Sequence, residues 1–343
     1  MIDSAKNDKG GFLIAHIRCI VNISYFSTVL KEAFAGSQPM VLNSLFPVFA
    51  LIVLGHALKR WHLTNEMFLK TSDRLVYYIF FPAMLFWKIG GASGGAVVDW
   101  RLCQAALAAL AVQYLASTLA IVLTDISDFE AGSFSQSCYR FNTYIGMAII
   151  INAAGEEGVR QFGILIGLLI PLINVLAVST LIWFSGRKVP LWERSRLTLT
   201  ALISNPLILA CIAGLIYARW VRMFPEFIDN TLRLISLLTL PLALLSVGGA
   251  LTIDGLRGHF RVALAGSLLK LMLFPALGFC FMSWFHVAAL PFKVGMIFFA
   301  LPTSTAIYVL SSQLNSDTDL ASAGIMLSTI LSFASLTLVL LLF

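Results

Sequence analysis

Landmark residues recur along this chain at a nearly fixed offset, and that recurrence constrains the fold more than any single motif. Pro47, Gly55, Arg60 and Trp61 lie in LFPVFALIVLGHALKRW, and 159 positions on stand Pro206, Gly214, Arg219 and Trp220 in SNPLILACIAGLIYARW. The same offset carries Pro82 of FFPAMLFW to Pro241 of TLPLALLS, and an offset of 161 carries Gly163 to Gly324. Coincident Gly or Leu is cheap in apolar sequence, whereas Pro, Arg and Trp in one register are not. Residues 40–186 and 187–343 therefore read as two copies of one unit, behind an N-terminal extension, residues 1–39.

The solvent of that unit is lipid. The chain has 343 residues, 59% of them hydrophobic and 12% charged, where soluble domains carry about 25% charged residues. The net charge of +6 is read as loop Lys and Arg, not as a nucleic-acid surface, because no basic run is interleaved with aromatics. Five scattered cysteines (Cys19, Cys103, Cys138, Cys211, Cys280) without a CxxC give neither a disulfide framework nor a zinc site. No cofactor or metal site is expected.

A helix crosses the hydrocarbon core with about 20 apolar residues, and charges bound the windows. Predicted helices 1 to 5 fall at 42–58, about 69–89, 102–124, 141–155 and 161–186. Helices 6 to 10 fall at 197–218, 234–253, about 262–285, 294–314 and 320–343. The fold class is thus an all-α integral membrane protein with ten transmembrane helices as two five-helix repeats. An odd number per repeat inverts the second copy, and inverted repeats are characteristic of secondary transporters. Lys59, Arg60, Lys70 and Arg74 after helix 1, with Arg187, Lys188, Arg194 and Arg196 after helix 5, place those two loops on the cytoplasmic side. The bias is imperfect: the acidic loop Asp125–Glu130 and the outer Arg219, Arg222 and Arg233 oppose it.

Residues 1–39 admit three readings: a signal peptide ending near Ala33-Phe34-Ala35, an extra or interfacial helix, or translation from Met40. The third fits best, because an outside tail with Lys6, Lys9, Arg18 and Lys31 opposes the charge rule.

Helix breaks point to the site. Predicted helix 4 is short, with 15 uncharged residues between Arg140 and Glu156, and opens on Arg140-Phe141-Asn142-Thr143 before Gly146. In helix 9, Leu301-Pro302-Thr303-Ser304 falls at the 161 offset. Pro302 has no N–H to give, and at membrane depth a freed carbonyl must face protein or a wet cavity. Breaks at matching positions of two inverted copies mark a substrate site near the midplane, where half-helix N-termini favour an anion. The substrate-binding candidates are Asn142, Thr143, Gly146, Pro302, Thr303, Ser304 and Lys270. The Asn142 amide can cap broken backbone or hold a carboxylate. Lys270 is either a counter-charge to the anion or a side chain snorkelling to the surface. Asn152 and Asn174 are read as bridges between helices, and His56 as a packed or interfacial histidine. No Asp or Glu lies mid-span, so no proton relay is visible.

Read this way, the chain resembles the auxin efflux carrier family over about 42–343. LFPVFALIVLGHALKRW and FFPAMLF are similar to its first two helices. RFNTYIGMAIIINAAGEEGV is similar to its fourth helix, with Phe141 where plant members have the proline of L-P-N-T. ISNPLILACIAGLI, KLMLFPAL, ALPTSTAIYVL and LSTILSFASLTLVLLL are similar to helices six, eight, nine and ten. The resemblance implies scaffold helices 1, 2, 6 and 7, often dimeric, and transport helices 3–5 and 8–10 in which broken helices 4 and 9 cross. It implies secondary active transport of small organic anions such as malate or malonate across the cell membrane, of bacterial inner-membrane type, by elevator-like alternating access. The coupling ion, proton or sodium, is left open. The missing proline at 141 makes Pro302 the stronger marker of the crossing. The rival readings are an anion channel or an exporter of auxin-like aromatic acids on the same scaffold. An enzyme is disfavoured, because no Gly-x-x-x-x-Gly-Lys loop, HExxH or acid–base cluster is present.

Overall fold

The computed structural model describes residues 23–91, 98–184, 192, 205–221, 223–251 and 256–343. Residues 1–22 and the loop cations Arg187, Lys188, Arg194, Arg196 and Arg222 lie outside the described residues. Among the described residues there are helices and no strands, as the absence of water at membrane depth demands of an open chain. Among the described residues, six helical stretches are long and apolar enough to cross a membrane: Val41–Arg60, Trp100–Leu123, Gly155–Phe184, Glu226–Ala250, Gly258–Trp284 and Thr318–Leu342. Pro206–Trp220 and Ala289–Ala300 are shorter apolar helices.

The first half contains α1 (Ile23–Arg60), α2 (Glu66–Leu75), α3 (Phe81–Gly90), α4 (Trp100–Leu123), α5 (Asp128–Tyr139), α6 (Thr143–Ala153) and α7 (Gly155–Phe184). Local chemistry sets these boundaries. Asp99 caps α4 through Leu102 N–H at 2.9 Å. Ser127 and Glu130 form a reciprocal capping box at α5. Asn142 Oδ1 accepts from Tyr144 and Ile145 N–H and so starts α6. The second half contains α8 (Pro206–Trp220), α9 (Glu226–Ala250), α10 (Leu256–Leu268), α11 (Phe274–Trp284), α12 (Ala289–Ala300), α13 (Ala306–Gln313) and α14 (Thr318–Leu342). Asn205 caps α8 ahead of Pro206 at its first position, and Asp317 caps α14.

Two single-turn π-helices, Val76–Phe80 and Leu269–Leu273, join α2 to α3 and α10 to α11. Each immediately precedes the Phe-Pro pair that opens the next helix, Phe81-Pro82 and Phe274-Pro275. A proline removes one rung of the ladder, and the helix relaxes around the gap. Leu271 is four residues before Pro275, and its carbonyl accepts instead from Ser335 Oγ of α14 at 3.3 Å.

Helices meet through glycines. An added Cβ at Gly55 of α1 would lie 2.2 Å from the Leu245 carbonyl oxygen of α9, and one at Gly248 of α9 would lie 1.9 Å from the Ile52 oxygen of α1. Gly214 of α8 packs similarly on Ile89 and Phe86 of α3. Gly55 and Gly214 are the equivalent glycines of the sequence offset, and both seat a helix against the opposite half. Lys59 ties the same α1–α9 contact at its end, donating to the Gly249 carbonyl at 3.0 Å.

The expected helix 1 is longer in the structure, because α1 runs unbroken from Ile23 through Met40. Predicted helix 4 is the second half of a longer element. The stretch before it is helical α5 rather than an acidic loop, and α5 is buried from Ala131 to its end at Tyr139.

Candidate functional site

Two helix interruptions, at residues 140–142 and 301–305, meet. α5 and α6 have 12 and 11 residues, about 18 and 17 Å at 1.5 Å per residue. Their junction therefore falls near the middle of an interrupted element about as long as a hydrocarbon core is thick, about 30 Å. α12 and α13 flank the other break. The contact is a backbone one: Asn142 N–H donates to the Pro302 carbonyl at 2.9 Å. Phe141 packs edge-on against Phe298, with centroids 4.6 Å apart, and reaches Phe162 at 6.3 Å. The break at 140–142 thus forms without a proline. Arg140 and Asn142 are extended backbone, Phe141 between them is held by aromatic packing, and Asn142 supplies the cap that restarts the helix.

Ending a helix inside the protein orphans its last carbonyls, and two polar side chains answer this at equivalent places. Gln113 Nε2 of α4 donates to Cys138 O of α5 at 2.9 Å, and also to Leu269 O at 2.9 Å. Lys270 Nζ donates to Phe299 O of α12 at 3.0 Å and lies 4.5 Å from the Phe274 ring centroid. Cys138 and Phe299 are 161 positions apart, the offset that joins Gly163 to Gly324. Lys270 is fully buried and does not snorkel. Its ammonium sits against the negative end of α12.

The other sequence candidates gather at the crossing. Asn142 is 2% exposed; its Oδ1 is taken by the cap, and its Nδ2 donates to no described residue. Thr303 is fully buried with an unpartnered Oγ1, while its N–H donates to Ser328 Oγ at 3.2 Å. Ser304 Oγ accepts from Ala306 N–H at 3.2 Å, and Thr143 is half-buried at the start of α6. Gly146 serves close packing: a Cβ there would lie 2.5 Å from Phe162 Cζ and 2.6 Å from Leu301 Cδ1. Lys270 stands apart, behind α12.

Sequence reasoning missed three features. Gln113 was one polar residue in an apolar helix. Ser133 of α5 anchors a buried hydroxyl network, donating to Asp317 O at 2.6 Å, meeting Ser311 Oγ at 2.8 Å and Ser316 Oγ at 3.1 Å. Arg140 was read only as the charge bounding helix 4. It is 7% exposed, and its Nη2 donates to Asn174 Oδ1 at 3.0 Å. The signal available for Arg140 was its place directly before Phe141-Asn142.

The cavity of about 550 Å³ along α1 lies elsewhere. It is almost wholly apolar, lined by Val41, Leu45, Phe49, Val53, Trp61 and Phe333 among others, and none of its described lining residues carries a charge to hold an anion.

Apolar helices long enough to span a membrane, together with buried, capped helix breaks, fit a multi-pass membrane protein, and the proteins to which the chain is similar are transporters. Residues 187–340 match the family model described as Membrane transport protein, which is the auxin efflux carrier family that the sequence resembles. An uncharacterized transporter of Methanothermobacter thermautotrophicus is 26% identical over 312 residues, covering 89% of this chain and 98% of that protein. An uncharacterized transporter of Methanocaldococcus jannaschii is 22% identical over 298 residues, covering 85% and 95%.

Proposed function

We propose that this chain is a secondary active carrier of small carboxylates, of the malate or malonate type, in the cell membrane. It would be built as ten spans in two inverted five-helix repeats, divided at about residue 187. The observation that carries this reading is the Asn142–Pro302 backbone contact between two interrupted helices, which this architecture would set near the midplane. Asn142 Nδ2 there is an uncommitted donor, and Thr303 Oγ1 is a buried group without a partner. An anion between the breaks would take hydrogen bonds from these groups and from Thr143 and Ser304. Alternating access would move helices 3–5 and 8–10 against a scaffold of helices 1, 2, 6 and 7. The equivalent glycine contacts at Gly55 and Gly214 support that division.

Asn142→Ala removes both the cap and the free donor. Its expected effect is a fall in labelled malonate or malate uptake into proteoliposomes of at least about 10-fold, the loss of one to two hydrogen bonds to a charged group. Pro302→Ala, which restores a backbone donor at the crossing, is expected to impair transport similarly. Normally expressed variants of both residues that transport like the parent would sink the reading. Uptake that is saturable and accelerated by substrate on the far side distinguishes a carrier from a channel. Its response to imposed proton and sodium gradients identifies the coupling ion.

A further inference from the structure

We propose that Arg140, held by Asn174, is the cationic group that engages the carboxylate at the helix crossing. This deepens the reading of the chain as an anion carrier and rests on it. A guanidinium carries five N–H donors and no acceptor. In this structure one of them is committed, Nη2 to the Asn174 amide oxygen, while Nε is buried without a partner. Among the described residues no acidic side chain pairs with Arg140.

A purely structural Arg140 would neutralise the C-terminal end of α5. That end is otherwise provided for: Gln113 takes the Cys138 carbonyl, and the Arg140 side chain turns to α7 instead of to an α5 carbonyl. Capping therefore leaves the Nε donor unexplained. Burying a charge at this depth is costly, and such residues face a bundle interior and serve a substrate. Asn142, whose Nδ2 donates to no described residue, stands two residues away. Asp73, one turn before Tyr77, makes no ion pair with Arg140. A planar fork of this kind matches a carboxylate with two parallel hydrogen bonds, which an ammonium does not reproduce.

The test titrates malonate, an aromatic acid such as indole-3-acetate, and the neutral isostere malonamide against the purified full chain by thermal shift. Counterflow of labelled malonate is measured beside it. Malonate is expected to stabilise the parent and malonamide is not. R140Q is expected to weaken malonate about 10- to 100-fold, the span of a charge-assisted pair, and R140K by less. N174D supplies an internal carboxylate beside Nη2. It should raise stability without ligand and still weaken malonate as R140Q does, whereas a purely structural Arg140 would gain stability with transport unchanged. N174D also serves as the test should R140Q fail to fold. A folded R140Q or N174D protein that binds and counterflows malonate like the parent overturns the inference and leaves the carrier reading standing. Arg140-dependent stabilisation by an acid that is never transported keeps the inference and sinks the carrier reading. No stabilisation of the parent by either acid overturns the inference, with counterflow deciding the carrier separately.

Discussion

Gly248→Val will yield little or no folded protein. The Cβ that valine brings would sit 1.9 Å from the Ile52 carbonyl oxygen, 2.7 Å from its carbonyl carbon and 3.0 Å from its Cα. All three are backbone atoms of α1, so no side-chain rotamer relieves the clash and the helices must separate. Gly55, on the facing helix, meets the Leu245 backbone equally closely, so separation at one glycine also opens the other. In a bilayer the helices are held by such close packing, because lipid already solvates apolar side chains. The expected loss is on the order of 4 kcal/mol or more, the range of severe overpacking. It is read as disappearance of the monodisperse peak in detergent. Gly248→Ala is expected to destabilise by the same contact, with less bulk to accommodate. The control is Gly258→Ala in α10, where an added Cβ meets nothing within 4 Å; it should gain about 0.5–1 kcal/mol from the helix preference of alanine. A Gly248→Val protein as stable as the parent would mean that α1 and α9 do not pack as described.

What the sequence made legible follows from which residues carry unambiguous physics. Charges bounded the apolar windows because Lys, Arg, Asp and Glu are expelled from lipid, so α4, α7, α9 and α14 lie within a few residues of the expected spans, except where α7 and α9 start earlier. Pro302 announced the break after α12 because a proline withholds a donor. Asn142, at the position equivalent to Thr303, marked the restart of α6.

α5 was illegible for the opposite reason. Its segment DFEAGSFSQSCY is too polar to face lipid and so reads as loop. It is a helix buried from Ala131 onward, whose Ser133 bonds to α13 and to the turn before α14, Ser135 to Ser117 of α4, and Ser137 to the Phe134 carbonyl, instead of to water. Hydropathy reports transfer to lipid, and a helix wrapped in protein at membrane depth obeys a different rule. Arg140 failed for a related reason. A charge beside an apolar window looks like a boundary, and nothing local indicates that the chain continues as helix on its other side.

Lys270→Met tests the second consequence of breaking a helix in the core. Lys270 Nζ is 3.0 Å from the Phe299 carbonyl, and the side chain is fully buried. Methionine keeps the bulk and the contact with Phe274 but leaves that carbonyl without a donor, at a cost of about 1–3 kcal/mol. The cationic compensation of the α12 C-terminus goes with it, worth roughly another 0.3–2 kcal/mol. The expected result is a clear drop in melting temperature and in folded yield. Lys270→Gln separates capping from charge. Gln113 shows that a neutral amide suffices at the equivalent carbonyl of α5, donating to Cys138 O at 2.9 Å. Lys270→Gln should therefore retain most of the stability that Lys270→Met loses. If the ammonium serves only the helix end, transport will survive in Lys270→Gln. If its field also draws the anion toward the crossing, the glutamine variant will fold normally and bind substrate more weakly. Its effect should then couple with that of Arg140→Gln in a double-mutant cycle, because the two cations would act on the same ligand; simple additivity would mean that they do not share it. Equal stability of the methionine variant and the parent would remove the capping role altogether, and with it the physical reason for an amine at this depth behind α12.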